Sequence, residues 1–197
     1  MCIICKKKKL DGLKVLDCSG CPLLTSIPYI NGLQQLYCSD CPLLSNIPQI
    51  NSLRELFCSS CPLLTKIPQL NVLQKLDCSS CPLLTDIPPV IRLQSLNCYN
   101  CPLLTNIPHI NGLHTLWCSK CPLLTKIQHS TNSLQILHCD DCPLLTNIPY
   151  ICGLKILQCN YCPLLINIPD ISGLQELYCS NCPLLTNIPQ SIRRLRR

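Results

Sequence analysis

The chain has 197 residues, 47% of them hydrophobic, 13% charged and 4% aromatic, a balance that excludes an intrinsically disordered chain. With one Phe and one Trp against 21 Cys and 18 Pro, any core must be built from Leu, Ile and Cys rather than from aromatic rings. The net charge of +6 rests on the two ends, Lys6 to Lys9 and Arg193, Arg194, Arg196 and Arg197; without those eight, 8 basic residues face 10 acidic ones, and no basic stripe remains for a nucleic-acid backbone.

In chain order, the N-terminus opens on Met1-Cys2-Ile3-Ile4-Cys5 ahead of the four lysines. A secretory leader carries its charge before its apolar stretch. Here the order is reversed, so the thiols read as those of a reducing compartment. No run approaches the ~18–20 apolar residues of a membrane span. Cys2 and Cys5 beside four lysines have the make-up of a weak membrane tether, two acylated thiols with a polybasic patch. They also fit a decayed repeat: Met1-Cys2-Ile3-Ile4 falls in register with Cys21-Pro22-Leu23-Leu24, Leu10-Asp11-Gly12 with Ile30-Asn31-Gly32, and Lys7-Lys8 with Ile27-Pro28. Residues 1–12 are therefore expected to form a degenerate basic half-repeat.

Residues 13–190 hold nine units, L-x-x-L-x-C-x-x-C-P-L-L-T-x-I-P-x-I-x-x, whose Cys-Pro-Leu-Leu begins at Cys21, Cys41, Cys61, Cys81, Cys101, Cys121, Cys142, Cys162 and Cys182. The spacing is 20 residues except for 21 between Cys121 and Cys142, and Ile-Pro is missing only at Ile127-Gln128, just before the extra residue. Within Leu56-Phe57-Cys58 the period is two, which predicts a short strand with Leu56 and Cys58 on one side and Phe57 on the other. One unit cannot bury its apolar face, whereas stacked units share a continuous core. Nine parallel strands are expected, with Leu16, Cys18, Cys21, Leu23, Leu24, Ile27 and their equivalents buried. Proline has no backbone donor and disfavours helix at the preceding residue, so the second half of each unit is expected to be extended or 3₁₀. Ile188-Pro189 leads to Leu195, where a tenth unit begins and stops, and residues 191–197 form a basic tail.

The opening of every unit, as in Leu53-Leu56-Cys58-Cys61-Leu63, resembles the leucine-rich repeat consensus, with Cys58 for the third leucine and Cys61 at the Asn/Cys position. The second half, Leu64-Thr65-Lys66-Ile67-Pro68-Gln69-Leu70, is similar to the short 20-residue repeats of bacterial effector proteins. The Cys-Pro-Leu-Leu-Thr-x-Ile-Pro wording also resembles leucine-rich repeat proteins encoded by giant DNA viruses of amoebae. These resemblances imply a horseshoe solenoid with a parallel β-sheet on its concave face, very little helix, and, for a viral protein, an intracellular location in the host cytoplasm.

Chemistry-bearing residues are few. C-x-x-C recurs on every unit from Cys18/Cys21 to Cys179/Cys182, and two adjacent units would offer four thiols, zinc-like in count. A pair present on every turn behaves instead as a packing position, where free Cys acts as a small hydrophobe; no residue is assigned as a metal ligand and no cofactor is expected. His109, His114, His129 and His138 lack a nucleophile elbow, a phosphate loop or a paired-carboxylate motif around them, so no residue is assigned as catalytic. What varies is the strand face. The column between Leu and Cys reads Asp17, Tyr37, Phe57, Asp77, Asn97, Trp117, His138, Gln158, Tyr178, different at nearly every turn of an otherwise uniform repeat. Tyr37, Phe57, Tyr99, Trp117, His138, Tyr161 and Tyr178 are the expected partner-binding residues, since exposed Trp and Tyr anchor protein interfaces. The sequence thus points to a non-enzymatic scaffold for a protein partner, with no nucleic acid; a cysteine-rich zinc–thiolate protein and a membrane-tethered module are the alternatives.

Overall fold

A computed structural model describes residues 2–5, 10–128, 133–186 and 188. Lys6 to Lys9, His129, Pro189, Leu195 and the C-terminal arginines lie outside the described residues. The strands are β1 (Val15–Asp17), β2 (Gln35–Tyr37), β3 (Glu55–Phe57), β4 (Lys75–Asp77), β5 (Ser95–Asn97), β6 (Asn106–Ile107), β7 (Thr115–Trp117), β8 (Lys126–Ile127), β9 (Ile136–His138), β10 (Ile156–Gln158) and β11 (Glu176–Tyr178).

Nine of these, all but β6 and β8, form one parallel sheet in chain order. The register follows the repeat: Leu16 pairs with Leu36, Leu36 with Leu56, and Leu116 with Leu137 across the 21-residue unit. The extra residue is therefore absorbed between Ile127 and Leu134, both of which stay buried. Each strand is only three residues long, but the ladder runs past it: Gln34 N–H donates to the Lys14 carbonyl, Cys38 N–H to Phe57, and Asp40 N–H to Ser59, at 2.8, 2.8 and 2.9 Å. Such pairing satisfies the backbone of a segment that buries one side only.

Beyond the sheet each unit turns on its proline. In Cys41-Pro42-Leu43-Leu44 the Leu44 amide returns to the Cys41 carbonyl at 3.2 Å, with proline at the second turn position, where its fixed φ fits. This geometry corrects one expectation. Leu23 and its equivalents stand at the corner of the turn and are exposed, from 38% at Leu103 to 55% at Leu23. Only the second leucine of each Leu-Leu pair enters the core, as Leu24 and Leu44 do.

The far half of the unit buries every third residue, Cys21, Leu24, Ile27, Ile30 and Leu33, the spacing of a polyproline-type extended chain rather than of a helix. It is extended, with short parallel contacts between neighbouring turns at β6 and β8 and at Ser26–Asn46 and Asn147–Asn167. Neither α- nor 3₁₀-helix occurs among the described residues. Seven inward columns, Leu, Leu, Cys, Cys, Leu, Ile and Ile, thus fuse into one core from Leu16 to Ile188. Ser119 is the one buried polar residue among those described.

Candidate functional site

Alternation in the strands sends Leu and the first Cys inward and leaves the residue between them on the outer side of the sheet. There the variable column gathers into patches. Tyr37 and Phe57 are register partners on β2 and β3 and stack with ring centroids 4.9 Å apart and planes 2° from parallel. Trp117 and His138, partners on β7 and β9, meet edge to face at 6.3 Å and 88°. Burial in this contact lowers the His138 pKa, with Asp140 pulling it the other way. Tyr178 donates its hydroxyl to Glu176 Oε2 at 2.9 Å and lies apart from both patches.

Two of the expected residues are off the strands. Tyr99 falls two residues past β5 and Tyr161 three past β10, in the turns that follow. Tyr99 still borders the strand face: with Asn97 and Trp117 it lines a hollow of about 290 Å³, and the Lys120 ammonium stands 5.5 Å from its ring centroid. A hydrogen bond with the Tyr99 hydroxyl, and the charge of that group, raise the Lys120 pKa. Tyr161 instead joins Lys120, Asp141, Asn181 and three prolines along a groove of about 770 Å³ on the flank of the sheet.

Polar side chains brace the face from turn to turn. Glu55 accepts Gln35 Nε2 at 3.1 Å and pairs with Lys75 Nζ at 3.1 Å. Asp140 Oδ1 accepts both the backbone and the side-chain amide of Asn160, at 2.7 and 2.9 Å, and Asn160 Oδ1 accepts the Ser180 amide at 2.8 Å. These bonds join neighbouring turns beside the ring-bearing positions.

The two cysteine columns lie beneath this face. From Cys41 to Cys182 each second-column thiol donates to the carbonyl of the first-column cysteine one turn back, as Cys41 to Cys18 at 3.3 Å and Cys61 to Cys38 at 3.2 Å. Burial holds Cys38, Cys58, Cys78 and Cys118 thiols well above their ordinary range, and pushes Cys61 and Cys101 up to about 12. Neutral, inward thiols bonded to carbonyls are packing groups. Cys2 and Cys5, by contrast, are half-buried and lie against the first turn of the core. There Cys2, Cys5 and Cys21 bring their sulfurs within 4.8 Å of one another. Burial pushes the Cys21 thiol up, but the backbone amides of Cys2 and Leu23 and the neighbouring thiols outweigh it and bring it to about 7. Among the histidines, His109 Nε2 meets Asn111 Oδ1 at 2.8 Å on the exposed far side, and His114 is exposed.

The family model described as Leucine Rich Repeat matches residues 12–31, 72–92 and 173–195. The leucine-rich repeat domain of the type III effector XopL is similar in structure, with a TM-score of 0.70 and 23% identity, over 93% of this chain and 74% of that one. The fold is a leucine-rich repeat solenoid. No curated protein matches the chain.

Within this solenoid, three features escaped the sequence reading. One is the turn after each strand, where Gly20, Asp40, Ser60, Ser80, Asn100, Lys120, Asp141, Tyr161 and Asn181 all have positive φ, from 54° to 62°. Gly20, Asp40, Asn100, Asp141 and Asn181 carried that signal, since Gly, Asp and Asn tolerate the left-handed region, whereas Ser60, Ser80, Lys120 and Tyr161 hid it. Another is Lys120, which only the pairing of adjacent turns brings over Tyr99. The last is the thiol trio, whose members Cys5 and Cys21 are 16 residues apart and belong to different repeat columns. No helix among the described residues is long and apolar enough to cross a membrane.

Proposed function

We propose that the solenoid is a non-enzymatic scaffold, working inside the cell, that binds a protein partner through its strand face, with Tyr37, Phe57, Tyr99, Trp117 and His138 as anchors and Tyr161 and Tyr178 towards the C-terminal end. The observation that carries this reading is a contrast between columns. Inward positions repeat almost without change, while the outward column from Asp17 to Tyr178 changes at nearly every turn and places its rings in two clusters. Packing alone asks nothing of these outward positions. Large, rigid aromatic side chains give contact area at low entropic cost, which is what interface anchors supply.

The test is affinity capture by the wild-type chain and by the Tyr37→Ala and Trp117→Ala variants, followed by binding measurements on the captured partner. Each substitution is expected to cost more than about 2 kcal/mol, a weakening of about thirtyfold or more, while thermal unfolding stays close to wild type. If both variants bind normally, the strand face is not the interface.

A further inference from the structure

Every second-column thiol from Cys41 onward has a carbonyl of the preceding turn to donate to; Cys101, Cys121 and Cys142 meet Cys78, Cys98 and Cys118 carbonyls, each at 3.3 Å. Cys21 is the first member of that column in this sequence, and its thiol is placed differently. Where its successors meet a carbonyl, Cys21 Sγ meets Cys5 Sγ at 3.5 Å, and Cys5 Sγ lies 3.8 Å from Cys2 Sγ. All three sulfurs fall within 4.8 Å of one another, the one such convergence of three Cys, His, Asp or Glu side chains among the described residues.

The spacing has a chemical meaning. Metal–sulfur bonds of ~2.3 Å at tetrahedral angles set neighbouring sulfurs ~3.8 Å apart. Closing the trio to that separation needs small side-chain shifts and no rearrangement of the turn. A thiol that merely plugged the end of the core would be buried like those of the columns, yet Cys2 and Cys5 are half-buried with their sulfurs turned towards each other and Cys21.

We propose that Cys2, Cys5 and Cys21 form a three-thiolate site for one zinc ion at the N-terminal end of the solenoid, with a fourth coordination position open to water or an outside ligand. Binding displaces to solvent the protons that the three thiols still carry and leaves a centre of net charge −1, with no change of oxidation state. The ion ties Cys2 and Cys5 to Cys21 of the first turn, a cross-link between segments 16 or more residues apart in the chain.

The experiment uses the full chain, freed of metal and kept reduced with a phosphine, and titrated with zinc alone against a chromophoric chelator. One equivalent of zinc per chain is expected. Cobalt(II) in its place is expected to show sulfur-to-metal charge-transfer bands of an intensity matching three thiolates. Cys2→Ser and Cys5→Ser are each expected to lower the affinity about a hundredfold or more, and Cys152→Ser, at an exposed thiol away from the trio, to leave it unchanged. Zinc should raise the unfolding midpoint of the wild type and of Cys152→Ser but not of Cys2→Ser, whose metal-free midpoint serves as the control for folding. Absence of saturable zinc uptake would overturn the proposal. So would uptake that persists undiminished in Cys2→Ser and Cys5→Ser, which would assign the metal to the buried columns.

Discussion

At Cys98 the side chain is fully buried and its thiol lies 3.5 Å from the Trp117 carbonyl, while its own carbonyl accepts the Cys121 thiol at 3.3 Å. A thiol is a weak donor, so most of its contribution is volume in a close-packed interior. Cys98→Ala removes one sulfur atom and is expected to cost about 1 kcal/mol. Cys98→Asp places a carboxylate there with no cationic partner, and the cost should reach several kcal/mol. Urea unfolding of the two variants measures the contrast. Equal damage from Ala and Asp would mean that the thiol does something that volume does not.

Each turn of the solenoid contains one element that any side chain but glycine enters at a cost, the left-handed residue after the strand. Asp40, Asn100 and Asn181 are types that tolerate it, while Lys120 and Tyr161 are not. Both of the ill-suited residues line the flank groove, as do Asp141 and Asn181 at the same position of neighbouring turns. Tyr161→Asn is expected to stabilise the chain by about 1 kcal/mol in urea unfolding. A loss of stability would show that the contacts of the Tyr161 ring outweigh its backbone strain. The same turns show where the sequence was readable and where it was not. The period-two pattern of Leu56-Phe57-Cys58 was enough to assign the strand. For Leu63 and Leu64, identical neighbours in a period set by the turn, composition gave no sign that Leu63 lies at the corner and Leu64 inside. Only the bond from the Leu64 amide back to the Cys61 carbonyl, at 3.1 Å, separates them.

Across the whole molecule the stacked thiols act together. Burial keeps the first-column thiols Cys38, Cys58, Cys78, Cys118, Cys139 and Cys159 neutral far above their ordinary range. The unfolded chain releases the same protons near pH ~8.5. The folded state therefore binds more protons than the unfolded one above that pH, and stability falls as pH rises, each thiol contributing up to about 1.4 kcal/mol per pH unit. Unfolding midpoints under reducing conditions should be flat near neutrality and fall steeply between about pH 8.5 and 10; a flat profile over the whole range would mean that the columns are open to solvent. The repeat made the stack and its register legible, because a 20-residue period admits one way of aligning the Leu and Cys positions of nine units. The clustering of Tyr99, Trp117 and Lys120 was not legible, since it depends on how far each side chain reaches across neighbouring turns. Whether that face is the interface is tested most directly by placing a photo-crosslinking residue at Asn97, between the two aromatic patches, and, in a second chain, at Thr65 on the far side of the solenoid. A discrete adduct from position 97 that is absent from position 65 and lost on Trp117→Ala is the predicted result. Adducts of equal yield from both positions, or adducts from position 65 alone, would contradict a partner bound on the strand face.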